Sequence, residues 1–424
     1  MSQTQQVQHT DSINSQNPAH DDAKKTKSKR PPNTAFRQQR LKAWQPILTP
    51  KTVLPLFFVV GVIFAPIGGL LLWANSLVQE LSIDYTKCAS SSPSVRVDFD
   101  ASQPNDLENI PSSRVSATFK TAMTSDPQWG HGFETYTWPL TGVEQNTTVC
   151  ILSFTIPNEI KPPILFYYRL TNFYQNHRRY VKSVDIQQLK GTARTNSDLN
   201  DGDCDPLALA PDGRPYYPCG LIANSMFNDT FGNLTVANPQ QNGDQDSAKF
   251  YNMTAAGISW SHEGDLYKKS AYKPADVVPP PNWQSQYPDD GYNTVGLPDL
   301  HTWEAFQVWM RTAGLPTFSK LAQRNDDTPL TIGTYRLKIY DRFEVEQYSG
   351  TKSILISTRT VMGGKNPFLG IAYVVVGGVC ILLGAGFLAT HLIKPRKLGD
   401  HTYLTWNNDQ PSTATTTGRN VGGA

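Results

Sequence analysis

Residues 363–378 read GGKNPFLGIAYVVVGG, and this stretch decides the class of the protein. A Gly-Gly pair and a polar Lys-Asn-Pro segment lead directly into an apolar run, which contains no Asp, Glu, Lys or Arg between Pro367 and Ile393. As an α-helix, a run of this length would extend for about 40 Å, more than the roughly 30 Å of a bilayer's hydrocarbon core. The stretch therefore predicts a transmembrane helix over residues 367–393.

A second uncharged run, VLPLFFVVGVIFAPIGGLLLWANSLV, occupies residues 53–78. It is longer than the apolar core of a secretory signal peptide, which has about 7–15 residues, and a long polar segment precedes it. We interpret it as an uncleaved membrane anchor. The two spans leave a central region, residues 79–366, that is long enough for one large or two small domains.

The distribution of charge predicts how the chain is oriented in the membrane. Residues 1–52 carry a net charge of +6, residues 394–424 carry +2, and the region between them carries −6. Basic residues beside a membrane span tend to stay in the cytosol. We therefore predict two cytosolic tails, disordered over residues 1–32 and 394–424, and a luminal or extracellular central region.

The central region has the composition of β-structure. Six segments combine β-branched and aromatic residues with partial alternation, which predicts strands at Ser94–Asp100, Val115–Thr121, Val149–Ile156, Thr334–Tyr340, Phe343–Tyr348 and Lys352–Thr358. A helix is predicted over Leu300–Thr312, where Trp303, Phe306 and Met310 form an apolar stripe and Asp299 is available as the N-cap. The predicted fold class is a two-span membrane protein with a mainly β central domain, an antiparallel β-sandwich with long loops and short helices.

The segment before the first span, residues 33–52, mixes aromatic and basic side chains. It contains Phe36, Arg37, Arg40 and Trp44 within the sequence NTAFRQQRLKAWQPILTPKT. Two interpretations stay open. The segment contacts the anionic headgroups of membrane lipids, or it docks on a cytosolic partner, because Trp and Arg are the residues that anchor protein interfaces.

Both spans carry small residues at helical spacing. The first has Gly61, Ala65 and Gly69 four residues apart, which lets another helix approach closely. The second has glycines seven residues apart on one face, at Gly370, Gly377 and Gly384. These stripes predict helix–helix contacts, either between the two spans or with a further protein.

Four of the five cysteines lie in the central region, at Cys88, Cys150, Cys204 and Cys219. In a non-cytosolic domain they imply two disulfides with three possible connectivities. Chain order favours Cys88–Cys150 and Cys204–Cys219, because neither of these loops crosses the other. Four N-glycosylation sequons also fall between the spans, at Asn146, Asn228, Asn233 and Asn252, which agrees with the orientation predicted from charge.

The sequence contains no recognisable catalytic or cofactor-binding motif. There is no GxSxG, HExxH, Walker or dinucleotide-binding pattern. Residues 201–205 (DGDCD) resemble part of a calcium loop, but Pro206 occupies the position of the turn glycine and Asp212 replaces the bidentate Glu. We therefore expect no catalytic residue, no cofactor, no metal site and no nucleic-acid partner.

Several long motifs together resemble one family. They are FRQQRLKAWQP at residues 36–46, FYQNHRRYVKS at 173–183, YPCGLIANSMFNDTF at 217–231, FQVWMR at 306–311 and GGKNPFLGIAYVVVG at 363–377. In this order, with two spans, the motifs resemble the accessory, or beta, subunits of type-IV P-type ATPase lipid flippases. The resemblance covers about residues 33–397.

The resemblance implies a non-catalytic partner of a P-type ATPase. Subunits of this family bind a catalytic alpha subunit that moves phospholipids from the exoplasmic to the cytosolic leaflet, and they are needed for its exit from the endoplasmic reticulum and for its activity. The resident membrane is left open among Golgi, endosome and plasma membrane. Two other classes stay possible from the residues alone: a cell-surface receptor or adhesion module, and a membrane-tethered luminal hydrolase.

Overall fold

The computed structural model describes residues 33–41, 49–97, 106–237, 250–359 and 363–395. Its helices are, in chain order, α1 (Pro50–Ser76), α2 (Cys88–Ser91), α3 (Arg178–Lys182), α4 (Ile186–Leu189), α5 (Asn196–Asn200), α6 (Leu221–Asn224), α7 (Glu304–Met310) and α8 (Phe368–Ile393). Its strands are β1 (Glu80–Asp84), β2 (Glu108–Asn109), β3 (Val115–Thr118), β4 (Gln128–Thr137), β5 (Glu144–Ile156), β6 (Ile164–Leu170), β7 (Thr230–Phe231), β8 (Leu234–Val236), β9 (Phe250–Tyr251), β10 (Phe318–Asn325), β11 (Gly333–Asp341) and β12 (Lys352–Thr358).

The two long helices match the two predicted spans. α1 has 27 residues and α8 has 26, and both are long and apolar enough to cross a membrane. Neither has an acidic residue in its first turn, and the only basic side chain in a last turn is His391 in α8. Among the described residues, those from 57 to 383 form one compact unit, and those before 57 and after 383 form another.

The strands form two antiparallel sheets. The first sheet has five strands in the order β10-β6-β12-β1-β3. The second has seven strands; six follow the order β2-β4-β5-β11-β8-β9, and β7 also pairs with β11. Every named pair of strands runs antiparallel.

One hydrophobic core joins the two sheets. Alternate residues of the first sheet, such as Ile83 and Phe166, and of the second, such as Leu152 and Leu337, are fully buried in it. The rings of Phe166 and Phe231 lie 4.9 Å apart, edge to face, and so link β6 to β7. The alternation of side chains along each strand therefore builds a β-sandwich, as predicted.

A second hydrophobic cluster lies outside the sandwich and is built from loops and short helices. Its fully buried members include Tyr217, Trp283, Tyr292 and Phe306. The indole N–H of Trp283 donates to the backbone oxygen of Ala223 at 3.0 Å, so this aromatic residue is buried without an unpaired donor. The long loops of the central region thus have a core of their own.

Three predicted strands are wrong in whole or in part, and one of them, Val115–Thr121, ends early, at Thr118. Phe343–Tyr348 is irregular and ends in a 3₁₀ turn (Glu346–Tyr348), because the N–H of Phe343 donates to the buried Asp229 carboxylate instead of to a neighbouring strand. In Ser94–Asp100, Ser94 forms a single bridge to His131 and residues 95–97 are not a strand. Residues 98–100 lie outside the described part of the chain.

The predicted helix is shorter than expected and has a different N-cap. α7 begins at Glu304, with Trp303 in the N-cap position and no side-chain cap. The Asp299 carboxylate instead accepts the backbone N–H of His301 at 3.1 Å. Asp299 therefore closes a local turn before the helix, so the N-cap prediction is wrong.

Candidate partner-binding surfaces

Both long helices join the central domain at neighbouring strands. α1 ends at Ser76, shortly before β1, and β12 ends at Thr358, shortly before α8. β1 and β12 are paired from Glu80 opposite Ser357, and the N–H of Thr358 donates to the backbone oxygen of Gln79 at 3.0 Å. The first sheet therefore connects directly to both spans.

The GGKNP segment forms the joint before α8. Gly363 has a φ of 95°, a conformation that favours glycine. The ammonium group of Lys365 donates to Thr118 Oγ1 at the end of β3, and Asn366 Oδ1 accepts the N–H of Phe368 at 3.1 Å at the start of the helix. Lys365 thus connects the beginning of the span to the first sheet, and Asn366 bonds the first turn of the helix.

Small residues allow α1 and α8 to approach closely. A Cβ atom added to Gly68 would lie 2.7 Å from the backbone nitrogen of Val374, and one added to Gly377 would lie 2.9 Å from the backbone nitrogen of Ala65. Gly61 is equally constrained, with the Gly377 oxygen 3.0 Å from its added Cβ. The small residues therefore pair the two spans with each other.

Gly69 differs from this pattern, although the spacing grouped it with Gly61 and Ala65. No atom lies within 4 Å of a Cβ added to Gly69, whereas Gly68 is buried against α8. The contact face of α1 therefore contains Gly61, Ala65 and Gly68, and Gly69 lies outside it. On α8, Gly370 contacts Leu72, and Gly384 is buried.

We expect Gly68→Leu to separate the two spans, because backbone atoms of α8 occupy the space its side chain needs. A cysteine pair introduced on the facing surfaces should crosslink much less efficiently in this variant than in the parent. Gly69→Leu is the matched control, since its added side chain meets open space within this chain. Equal crosslinking in Gly68→Leu and Gly69→Leu would contradict the packing described here.

The segment before the first span forms a short turn with exposed side chains. The N–H of Gln38 donates to the backbone oxygen of Thr34 at 2.9 Å. Phe36 is 75% exposed, and Arg37 and Arg40 are exposed as well. Trp44 lies outside the described residues. An exposed aromatic ring beside two guanidinium groups is the composition of a docking surface.

A cationic cavity of about 390 Å³ opens on the central domain beside β6 and β10. Arg311, Arg324, Arg359 and Lys320 line it, and no carboxylate does so among the residues the structure describes. Arg311 stacks on Trp260, with its Cζ 3.8 Å from the ring centroid, and pairs with Glu263 at 2.8 Å. Desolvation, reinforced by the Arg311 charge, lowers the pKa of Lys320 to about 7. Arg324 likewise pairs with Asp326, so neighbouring carboxylates neutralise part of the positive charge of the cavity.

A buried ion network holds three distant segments together. The Lys352 ammonium donates to Asp229 at 2.8 Å, to Asp341, and to the backbone oxygen of Phe343 at 2.7 Å. The Tyr85 hydroxyl also donates to Asp229, at 2.9 Å. Desolvation and the neighbouring Asp229 raise the pKa of Asp341 to about 6. This network was not predicted from the sequence, where its one local sign is a lysine at the start of the buried strand KSILIST.

The structure pairs the cysteines as chain order predicted. Cys88 bonds Cys150, and Cys204 bonds Cys219, with Cα–Cα distances of 5.9 and 5.8 Å. Cys380 in α8 is free. The first disulfide ties α2 to β5 within the sandwich core, and the second closes the small cluster around Leu199 and Tyr216. Residues 201–205 therefore belong to a disulfide-closed turn.

The four sequons lie in different surroundings. Asn146, Asn233 and Asn252 are exposed, as a glycan requires. Asn228 is only partly exposed and lies beside the buried ion network. Within the described residues, no group of three or more His, Cys, Asp or Glu side chains is arranged to hold a metal ion.

Comparison with known proteins identifies the family. Residues 71–397 match the model described as the LEM3 (ligand-effect modulator 3) family / CDC50 family. The chain is 43% identical to the phospholipid-transporting ATPase accessory subunit CRF1 of Saccharomyces cerevisiae, over 91% of each chain. It is 42% identical to the accessory subunit CDC50 of Chaetomium thermophilum, over 90% of this chain and 92% of that one. It is 38% identical to mouse cell cycle control protein 50A, over 85% and 89%. The chain therefore belongs to the CDC50/LEM3 family.

Proposed function

We propose that this protein is a non-catalytic accessory subunit of a phospholipid-transporting P-type ATPase. The observation that carries the proposal is its similarity, over nearly the full length of both chains, to relatives named as accessory subunits of such ATPases. ATP hydrolysis then belongs to the catalytic alpha subunit, and this chain contributes binding surfaces to a heterodimer.

The proposed orientation places both tails in the cytosol and the central domain in the lumen or outside the cell. The basic residues beside both spans support it, and so does the confinement of the sequons to the central region. Two disulfides in the same region are expected of an oxidising compartment. Endoglycosidase sensitivity, with protease cleavage of both tails from the cytosolic side, would test this arrangement.

Three surfaces are available to the catalytic subunit in this arrangement. The surface of α1 around Gly69 is not covered by α8 and can pack against a partner's membrane helix. The cationic cavity can receive an acidic luminal loop. The turn with Phe36, Arg37 and Arg40 can dock on the cytosolic side, with anionic lipid headgroups as its second partner.

Co-purification in mild detergent tests the function directly. We expect a P-type ATPase to be recovered with the tagged full-length protein at comparable stoichiometry. In cells that lack this protein, we expect that ATPase to remain in the endoplasmic reticulum. Export to Golgi, endosome or plasma membrane should then return with the intact protein. Recovery without any P-type ATPase would refute the proposal and favour a receptor or adhesion protein.

We predict that replacing Trp44 and Arg37 together by alanine weakens regulation of the partner. Arg37 is exposed, and its loss removes a side chain that can bind across an interface without disturbing the central domain. The expected result is a lower lipid-stimulated ATPase rate with unchanged glycosylation and export.

Arg214→Ala is the control for this prediction, since Arg214 is an exposed arginine of the central domain that pairs with Asp212. An ATPase rate in the Trp44/Arg37 variant equal to that of the control would reject the docking role.

A further inference from the structure

The sequon Asn228-Asp229-Thr230 is held rigidly within the fold. The Arg342 guanidinium donates through Nη1 to the backbone oxygen of Asn228 at 3.1 Å and to Thr230 Oγ1 at 3.0 Å. The Asp229 carboxylate accepts the backbone N–H of Arg342 at 2.6 Å and takes part in the buried ion network. The backbone of the sequon is therefore held in place by the core.

The side-chain amide of Asn228 leaves its oxygen unpaired within the described part of the chain. Its Oδ1 atom is buried and accepts no hydrogen bond, whereas the residue as a whole is only half-buried. A buried carbonyl oxygen without a donor is unfavourable, because it has lost water without gaining a protein contact. A hydroxyl group from a ligand in the adjoining cavity would supply that donor.

Asn228 lines a cavity that continues into a wider groove. The cavity, of about 240 Å³, is also lined by Trp138, Gln286 and Trp303. The same three residues line an adjoining cavity of about 410 Å³, together with Tyr136 and Asp299. We refer to the continuous surface formed by Tyr136, Trp138, Gln286, Asp299 and Trp303 as the aromatic groove.

The chemistry of the aromatic groove suits a carbohydrate. The rings of Tyr136, Trp138 and Trp303 offer flat apolar surfaces, against which the C–H face of a pyranose packs. The side chains of Gln286 and Asp299 offer an amide and a carboxylate, which can bond sugar hydroxyl groups. Asp299 keeps acceptor capacity for such a hydroxyl because, within the described part of the chain, only its Oδ1 atom accepts a hydrogen bond, from the N–H of His301.

Arg342 connects the sequon to the wall of the groove. Its Cζ lies 4.1 Å from the ring centroid of Tyr136 and 4.5 Å from that of Trp138. The same guanidinium binds the backbone of Asn228. One side chain therefore positions both the attachment point and the surface beside it, and none of the other three sequon asparagines lines either cavity.

We propose that the N-linked glycan of Asn228 folds back onto the protein, with its first sugars lying in the aromatic groove. The glycan then covers the exposed faces of Trp138 and Trp303 and acts as part of the folded domain. This inference is independent of the ATPase partner, and it requires that Asn228 be glycosylated.

Site-resolved deglycosylation of the native full-length protein tests the proposal. The protein is treated with peptide-N-glycosidase in ¹⁸O-labelled water without denaturant, and mass spectrometry follows the release at each sequon. We expect release at Asn228 to be at least about tenfold slower than at Asn146, which corresponds to about 1.4 kcal/mol of protection. Denaturation should remove the difference.

A variant that fills the cavity distinguishes two causes of slow release: binding of the glycan in the aromatic groove and burial of Asn228. Ala305→Trp places a large side chain in the cavity from an exposed position on α7, and it should raise the release rate at Asn228 towards that at Asn146. Ala89→Trp is the matched control, an exposed alanine of α2 that lines neither cavity. The proposal is overturned if Asn228 carries no glycan, if the native rates are equal, or if Ala305→Trp leaves slow release unchanged.

Discussion

Asp229→Ala is expected to lower the free energy of unfolding of the central domain by about 3–5 kcal/mol, because it leaves a buried ammonium group without its main counter-ion. The side chains of Asp229 and Lys352 are 0% and 3% exposed. Asp229 also accepts the backbone N–H groups of Arg342 and Phe343, at 2.6 and 2.7 Å, so its loss leaves several donors unpaired. Denaturant unfolding of the purified protein, followed by tryptophan fluorescence, measures the effect.

Asp341→Asn is the matched control for this variant. Asp341 also accepts from Lys352 but is 13% exposed, and burial raises its pKa to about 6. Because its pKa in the folded state lies above the ordinary value of 3.8, ionisation of Asp341 weakens the fold as the pH rises from about 4 to 6. Asp341→Asn should therefore lower the free energy of unfolding far less than Asp229→Ala does. As the pH rises through this interval, the stability of Asp341→Asn should increase relative to that of the parent protein. Equal losses in the two variants would contradict the assigned roles.

Removal of the Cys88–Cys150 disulfide is expected to cost about 4 kcal/mol, since the bond closes a loop of 62 residues in the unfolded chain. The double variant Cys88→Ala/Cys150→Ala should be retained in the endoplasmic reticulum, because the bond lies in the core shared by both sheets. The Cys204–Cys219 bond spans 15 residues, and its removal should cost less, about 3 kcal/mol. We expect that loss to reduce export by misfolding of the domain rather than by removal of partner contacts.

Cys380→Ala is the control for both disulfide variants, because Cys380 is free and lies in α8. Its unfolding midpoint and export should equal those of the parent protein. A Cys88→Ala/Cys150→Ala protein that is exported normally and unfolds at the parental denaturant concentration would refute the structural role of this bond.

Segments with strong local patterns were predicted well from the sequence. β12 coincides with the predicted Lys352–Thr358, and β11 and β5 contain their predicted strands. The predicted part of each strand is rich in the β-branched, aromatic and other apolar residues that favour a sheet. The two spans were predicted equally well, because an uncharged run of this length is typical of a transmembrane helix.

Helix rotation was harder to predict than helix position. A spacing of four residues grouped Gly69 with Gly61 and Ala65, but the observed contact face contains Gly68. Glycine is present at both positions, and only the approach of Val374 and Gly370 from the other helix distinguishes them. The rotation of a membrane helix is set by its packing, which a single sequence does not contain.

The two spans, the class of the central domain, the likeness to its family and the disulfide pairing could all be predicted from the amino-acid sequence. All of these depend on composition, on short periodicities or on motifs that are contiguous in the chain. The pairing of Lys352 with Asp229, 123 residues away, and the link that Arg342 makes between the Asn228 sequon and the aromatic groove are visible only in the folded protein. Buried charges are stable only where partners from distant segments meet them, and that meeting is a property of the folded chain. The GGKNP segment is an example of both. The glycines and the apolar run after them predicted the start of a span from the sequence. The contact of Lys365 with Thr118, which joins the segment to the first sheet, is visible only in the structure.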